Sequence, residues 1–115
     1  MLNRIRAMHD QFGITEVPFS FQEKSFRIAA MQEELDEYHA AISEAEELDA
    51  LVDLLVFTLG TVDRHGWTNV FEEAFNRVMD ANMAKELGAN NKRGGFKLDL
   101  RKPEGWKAPN MEDLV

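Results

Sequence analysis

No cysteine occurs in this chain of 115 residues. That excludes disulfides and zinc–thiolate sites, and fits the cytoplasm. The segment Met1-Leu2-Asn3-Arg4-Ile5-Arg6 lacks the apolar stretch that would follow it in a signal peptide. The longest apolar run is too short and too interrupted to span a membrane, so no membrane partner is expected. His9, His39 and His65 are isolated, and none stands three residues after a Glu. A di-iron bundle built on Glu-x-x-His is therefore excluded. A net charge of −8 argues against nucleic acid as a partner. The length suits one domain, read here as residues 1–115.

The most telling absence is local. No Lys or Arg lies between Ile28 and Asp63, a stretch that holds ten acids. One of them, Asp53, interrupts the apolar run Ala50–Gly60. Such a run reads as core, and a carboxylate inside core is costly unless it is paired. With no cation nearby in sequence, a divalent metal is the natural source of positive charge. The tail differs. Residues 1–84 carry six Lys/Arg against sixteen acids, whereas residues 85–115 carry seven against five. An acidic body with a basic tail suits a polyphosphate held between metal and cations. Taken alone, it is better read as a solvated tail offsetting body charge.

Four helices are predicted, giving an all-α bundle with a helical core over about 1–87 and an extended tail over about 88–115. The first runs from Leu2 to Phe12 and stops at Gly13. Ser20 with Glu23 forms a capping signature for a second helix over 21–42. Ser43 with Glu46 repeats it for a third, ending near Gly66. Two helices joined so tightly form an antiparallel hairpin. Thr68 is the expected cap of a fourth helix that ends at about Leu87, before Gly88. Phe96–Leu100 alternates, as a short strand or extended arm would. Trp67 and Trp106 read as packing residues that could also cover a base.

In the second helix, Ile28, Met31, Leu35, Tyr38 and Ile42 form an apolar stripe. Beside it Ala30, Glu34, Glu37 and Ala41 share a second stripe, with both carboxylates between alanines. In the third helix Glu46, Asp49, Asp53 and Gly60 align. A turn near Ser43-Glu44 sets Glu34 opposite Asp53, and Glu37 opposite the Asp49–Ala50 level. The expected metal ligands are thus Glu34, Glu37, Asp49 and Asp53. Oxygen-only ligands suit Mg²⁺ or Mn²⁺. Glu33, Asp36, Glu44 and Glu47 are read mainly as a solvated face.

Glu34-x-x-Glu37, a hairpin turn, then Asp49 and Asp53 resembles the all-α nucleoside triphosphate pyrophosphohydrolase superfamily. That group includes MazG-like proteins, dimeric dUTPases, dCTPases and phosphoribosyl-ATP pyrophosphohydrolase. Its pattern is Glu-x-x-Glu on one helix and Glu-x-x-Asp on the next. Leu59-Gly60-Thr61, Asn82-Met83-Ala84-Lys85 and Gly105-Trp106-Lys107-Ala108-Pro109 resemble segments of the phage and bacterial MazG-like branch. Two registers fit Glu-x-x-Asp. Glu46-x-x-Asp49 matches literally but lies beside the turn. Ala50-x-x-Asp53 fits the hairpin, with Ala in place of Glu and Asp49 supplying the missing carboxylate. The second is preferred, and leaves Glu46 as the alternative ligand.

The resemblance implies a hydrolase that cleaves a nucleoside triphosphate between the α- and β-phosphates with Mg²⁺ or Mn²⁺. Glu33 or Glu37 would take the proton of the attacking water. Asn82 would contact the nucleotide, and Lys85 and Lys107 its phosphates, with other tail cations closing over it. The apolar surface of the hairpin is too broad for four short helices to bury, so a homodimer or homotetramer is expected. Two other readings stand beside this one. One is phosphoribosyl-ATP hydrolysis. The other, which Ala50 favours, is a non-catalytic nucleotide-binding module.

Overall fold

A computed structural model describes residues 1–115. The helices are α1 (Leu2–Gln11), α2 (Phe21–Ala40), α3 (Glu44–Arg64) and α4 (Phe71–Met83). The only strands, β1 (Glu86–Leu87) and β2 (Leu100–Arg101), pair antiparallel. The fold is all-α, as the periodicity predicts. No helix is long and apolar enough to cross a membrane. The chain forms two compact units, Met1–Thr68 and Asn69–Val115.

The first unit is built on the α2–α3 hairpin. Both predicted caps are made: Ser20 Oγ accepts from the Glu23 amide at 3.1 Å, and Ser43 Oγ from the Glu46 amide at 3.2 Å. The faces that pack differ from expectation. α2 buries Arg27, Ala30 and Glu34, spaced three and four residues apart. α3 buries Ala50, Leu59, Gly60 and Asp63. The predicted apolar stripe of α2 is mostly exposed instead, with Ile42 at 90%. Leu51, Val52 and Leu55 of the supposed core run are exposed too, and Asp53 is half-buried rather than buried. Small residues explain the choice of face. Ala30 and Ala50 fill the seam with small side chains, and Gly60 leaves room for the side chains of Arg27 and His9. A Cβ on Gly60 would lie 2.9 Å from Arg27 Nη1.

A buried polar network then joins α1 to this hairpin. Asp63 accepts hydrogen bonds from Arg6 Nε at 2.8 Å, His9 Nδ1 at 2.7 Å and Thr68 Oγ1 at 2.8 Å. The other imidazole nitrogen, Nε2, lies 3.5 Å from Arg27 Nη2. A guanidinium only donates, so the tautomer that fits carries its proton on Nδ1. Glu23 accepts from Arg27 at 2.9 Å and from Arg64 twice at 2.7 Å. Arg64 also donates to the carbonyls of Ile14 and Val17. It thereby fastens the α1–α2 connection. Hydrogen bonding from Arg64, above all, holds the Glu23 carboxyl down at about 2. Phe19, His65 and Trp67 stack beside the end of α3, with His65 and Trp67 rings 4.0 Å apart and nearly parallel.

Thr68 does not cap α4. Its hydroxyl is taken by Asp63, and α4 starts only at Phe71 without a side-chain cap. In the second unit, α4 ends at Met83, short of the predicted Leu87, because Glu86–Leu87 leave the helix to pair with Leu100–Arg101. Of the alternating segment Phe96–Leu100, only Leu100 joins a strand. Trp106 Nε1 donates to the Ala81 carbonyl at 2.7 Å, which holds the tail on α4. Arg77 does the same for the C-terminus through Asp113 at 2.7 and 2.9 Å.

Candidate metal centre

Glu34, Glu37 and Asp53 offer carboxylate oxygens that all lie within 4.8 Å of one another. Helical spacing puts Glu34 and Glu37 one turn apart on α2, and the hairpin brings Asp53 of α3 to them. Their burial is graded: Glu34 buried, Asp53 half-buried, Glu37 exposed. The group thus has a closed end and an open end.

Glu34 is the group most out of balance. Its Oε2 is buried and has no hydrogen-bond partner. Its carboxyl is pushed up to about 7. Burial is the largest cause, followed by the hydrogen-bonding approach of Glu37 and the charges of Glu37, Asp53 and Glu33. No protein cation answers these three carboxylates, whereas Asp63 and Glu23 are matched by Arg6, Arg27 and Arg64. A hard divalent cation with oxygen ligands about 2.0–2.6 Å away would span such a set and give the orphaned oxygen its partner. The donors therefore fit Mg²⁺ or Mn²⁺.

The other expected site residues are placed as follows. Asp49 is exposed and stands outside the triad. It lines a shallow pocket of about 290 Å³ with Glu37, Ala40, Ala41 and Glu46. Glu46 is engaged at the start of α3, where its Oε2 accepts from the Ile42 amide at 3.0 Å. Ala50, the Glu position of the preferred register, is 3% exposed. The hairpin leaves it room for a methyl group and little more. Glu33 is exposed, yet near enough for its charge to act on Glu34. Asn82 and Lys85 are half-buried and Lys107 is exposed; all three belong to the second unit.

Sequence reasoning missed the Arg6–His9–Asp63–Thr68 cluster and the Glu23–Arg27–Arg64 cluster. His9 was legible as one member of α1, but nothing in its spacing announced a partner 54 residues away.

The family model for phosphoribosyl-ATP pyrophosphohydrolase matches residues 5–82. The match includes all of the hairpin and its three carboxylates. No curated protein and no solved structure matches the chain.

Proposed function

Because the chain belongs to the phosphoribosyl-ATP pyrophosphohydrolase family, we propose that it hydrolyses a nucleoside triphosphate between the α- and β-phosphates. The products are a nucleoside monophosphate and pyrophosphate, and the reaction requires Mg²⁺ or Mn²⁺. The observation that carries this reading is the buried, unpartnered Oε2 of Glu34 facing two further carboxylates. Glu34, Glu37 and Asp53 would hold the cation, and Asp49 stands next to Glu37 at the open end. Bound there, the cation supplies positive charge to phosphate oxygens and makes a nearby water more acidic. Glu33 is the exposed carboxylate left to accept the water's proton, with Glu37 the alternative. Asn82, Lys85 and Lys107 are proposed to contact nucleotide and phosphates.

The family match gives a second substrate its own support. Phosphoribosyl-ATP carries the same triphosphate, so the carboxylates serve both substrates and the base end decides. Purified protein is assayed with each NTP and dNTP and with phosphoribosyl-ATP, with Mg²⁺, with Mn²⁺ and with chelator. Pyrophosphate release that depends on the metal is expected. Orthophosphate as first product, or turnover in chelator, would contradict the proposal. Binding of nucleotide without turnover would leave a non-catalytic module.

A second copy of the chain completes the proposal. Only Ile5, Ala30, Ala50 and Leu59 are buried apolar side chains, while Ile28, Leu35, Leu48 and Leu51 of the hairpin stand exposed. Exposed apolar area on this scale calls for a partner surface. Sedimentation equilibrium should give a dimer or tetramer, and Leu35→Glu should shift it toward monomer. A monomeric wild-type protein at assay concentration rules out this part.

A further inference from the structure

The second unit contains a pocket of about 490 Å³ beside the β1–β2 ribbon. Five cationic side chains line it, Lys85, Lys92, Arg93, Arg101 and Lys102, and no carboxylate does. Two of the five are matched from outside: Arg93 donates to Asp99 at 2.7 and 3.0 Å, and Arg101 to Glu86 at 3.1 Å. Lys85, Lys92 and Lys102 form no ion pair; the charge of Lys85 acts on Asp99, which Arg93 already holds.

Two of these lysines share one ring. The ammonium groups of Lys85 and Lys102 lie 5.1 and 5.0 Å from the centre of Trp106. The ring is fixed in turn by its hydrogen bond to Ala81. Cation–π attraction to one ring offsets only part of the cost of gathering two ammonium groups around it. Arg101, in the pocket wall, rests on Gly88. A Cβ there would sit 2.8 Å from Arg101 Nε, so this guanidinium packs directly over the backbone. A chain of net charge −8 thus gathers three unpaired cations around one small cavity.

We propose that this pocket binds a compact, multiply charged phosphate anion through Lys85, Lys92 and Lys102. The anion is either free pyrophosphate or triphosphate, or the phosphate tail of a nucleotide. Ammonium groups act as point charges, and three of them around one cavity need several negative charges in a small volume. A single carboxylate would leave two unmatched. Lys85 is also one of the phosphate contacts proposed above, so at that residue the inference rests on that reading; binding in chelator tests the pocket without hydrolysis at the carboxylates.

The test uses the full chain with Trp67→Phe, which leaves Trp106 as the only tryptophan, in chelator so that no metal reaches the triad. Inorganic triphosphate should change Trp106 emission saturably, because it draws both ammonium groups away from the ring, and should give binding heat in parallel calorimetry. Added salt should weaken it. Lys92→Ala does not touch the ring; it should leave the unliganded spectrum alone and weaken binding about fivefold, the upper size of one lost exposed ion contact. Lys102→Ala should weaken binding comparably and alter the unliganded spectrum as well. ATP competing as well as triphosphate while adenosine does not identifies a nucleotide's phosphate tail as ligand. Competition by the inorganic anions alone identifies the free phosphate. Three results would overturn the proposal: neither emission change nor heat, unchanged affinity in Lys92→Ala, or displacement by a single-stranded oligonucleotide at lower concentration than any mononucleotide.

Discussion

Glu34→Gln and Glu37→Gln should each lower metal-dependent turnover by more than about a hundredfold, since even outer-shell changes at metal sites cost up to that much. Gln keeps the size and helix propensity of Glu but removes the charge that would bind the cation. Asp36→Asn is the internal comparison. Asp36 lies on the same helix, exposed, accepting only from Gln32, and its variant should retain nearly full activity. Equal loss in all three would show that the face of α2 has been assigned wrongly.

The same Glu34 variant has a second readout that needs no substrate. The Glu34 carboxyl is pushed from 4.5 up to about 7, chiefly by burial. Between those values the unfolded chain releases the proton while the folded chain keeps it. Stability of the metal-free protein therefore falls as pH rises through that window, and the full penalty is present above about pH 7. In chelator at pH 8, Glu34→Gln should melt higher than wild type. Saturating Mg²⁺ should reverse the order, because the ion stabilises the fold that binds it by mass action. Asp53→Asn should behave likewise but more weakly, as Asp53 is only half-buried. If Glu34→Gln melts lower than wild type in chelator, Glu34 has a structural partner and the metal assignment is wrong.

How much of this was legible in sequence depended on the range of the interaction. Both hairpin caps were, because Ser20–Glu23 and Ser43–Glu46 act within four residues. The approach of Glu34 and Glu37 to Asp53 was too, since two short-range rules, helical spacing and a tight turn, compose into it. The packed face of α2 was misjudged. Two stripes with the same period run side by side there, and apolar content marks Ile28–Ile42 as the inner one. The buried Ala30 and Ala50, and the space Gly60 leaves for Arg27 and His9, mark the other face instead, a preference of size rather than hydropathy. Asp49 was brought in to replace a missing carboxylate, but it lies one turn before Asp53, about 6 Å along α3, and meets only Glu37 at the open end. The absence of cations from Ile28 to Asp63 was informative for Asp53 and misleading for Asp63. Arg6 and His9 reach Asp63 from α1, a pairing that no local pattern encodes.

That long-range pairing predicts the largest stability loss. Asp63 has a 3% exposed side chain and accepts from three donors on α1 and beyond α3. Asparagine has the same shape, but its amide brings donors of its own against Arg6, His9 and Thr68. Asp63→Asn should cost about 3–5 kcal/mol, the range for breaking a buried charged pair from one side. For a chain of this size that is a fall in Tm of about 10 °C or more. Asp80→Asn, exposed on α4, should change stability by no more than about 0.5 kcal/mol. The acid limb gives an independent check. Hydrogen bonds from His9, Thr68 and Arg6 outweigh burial and hold the Asp63 carboxyl below its ordinary 3.8. Its contribution is complete above that value and is lost as pH falls below it, so wild type should lose stability there more steeply than the variant. Glu23, held at about 2, continues to contribute in both proteins. Because Asp63 lies ten residues beyond Asp53, about 15 Å along α3, folded Asp63→Asn should keep its Mg²⁺-dependent thermal shift. A variant that melts with wild type would mean that α1 is held by Ile5 and the Arg64 contacts alone. One that folds normally yet loses the Mg²⁺ shift would place Asp63 in the metal site itself.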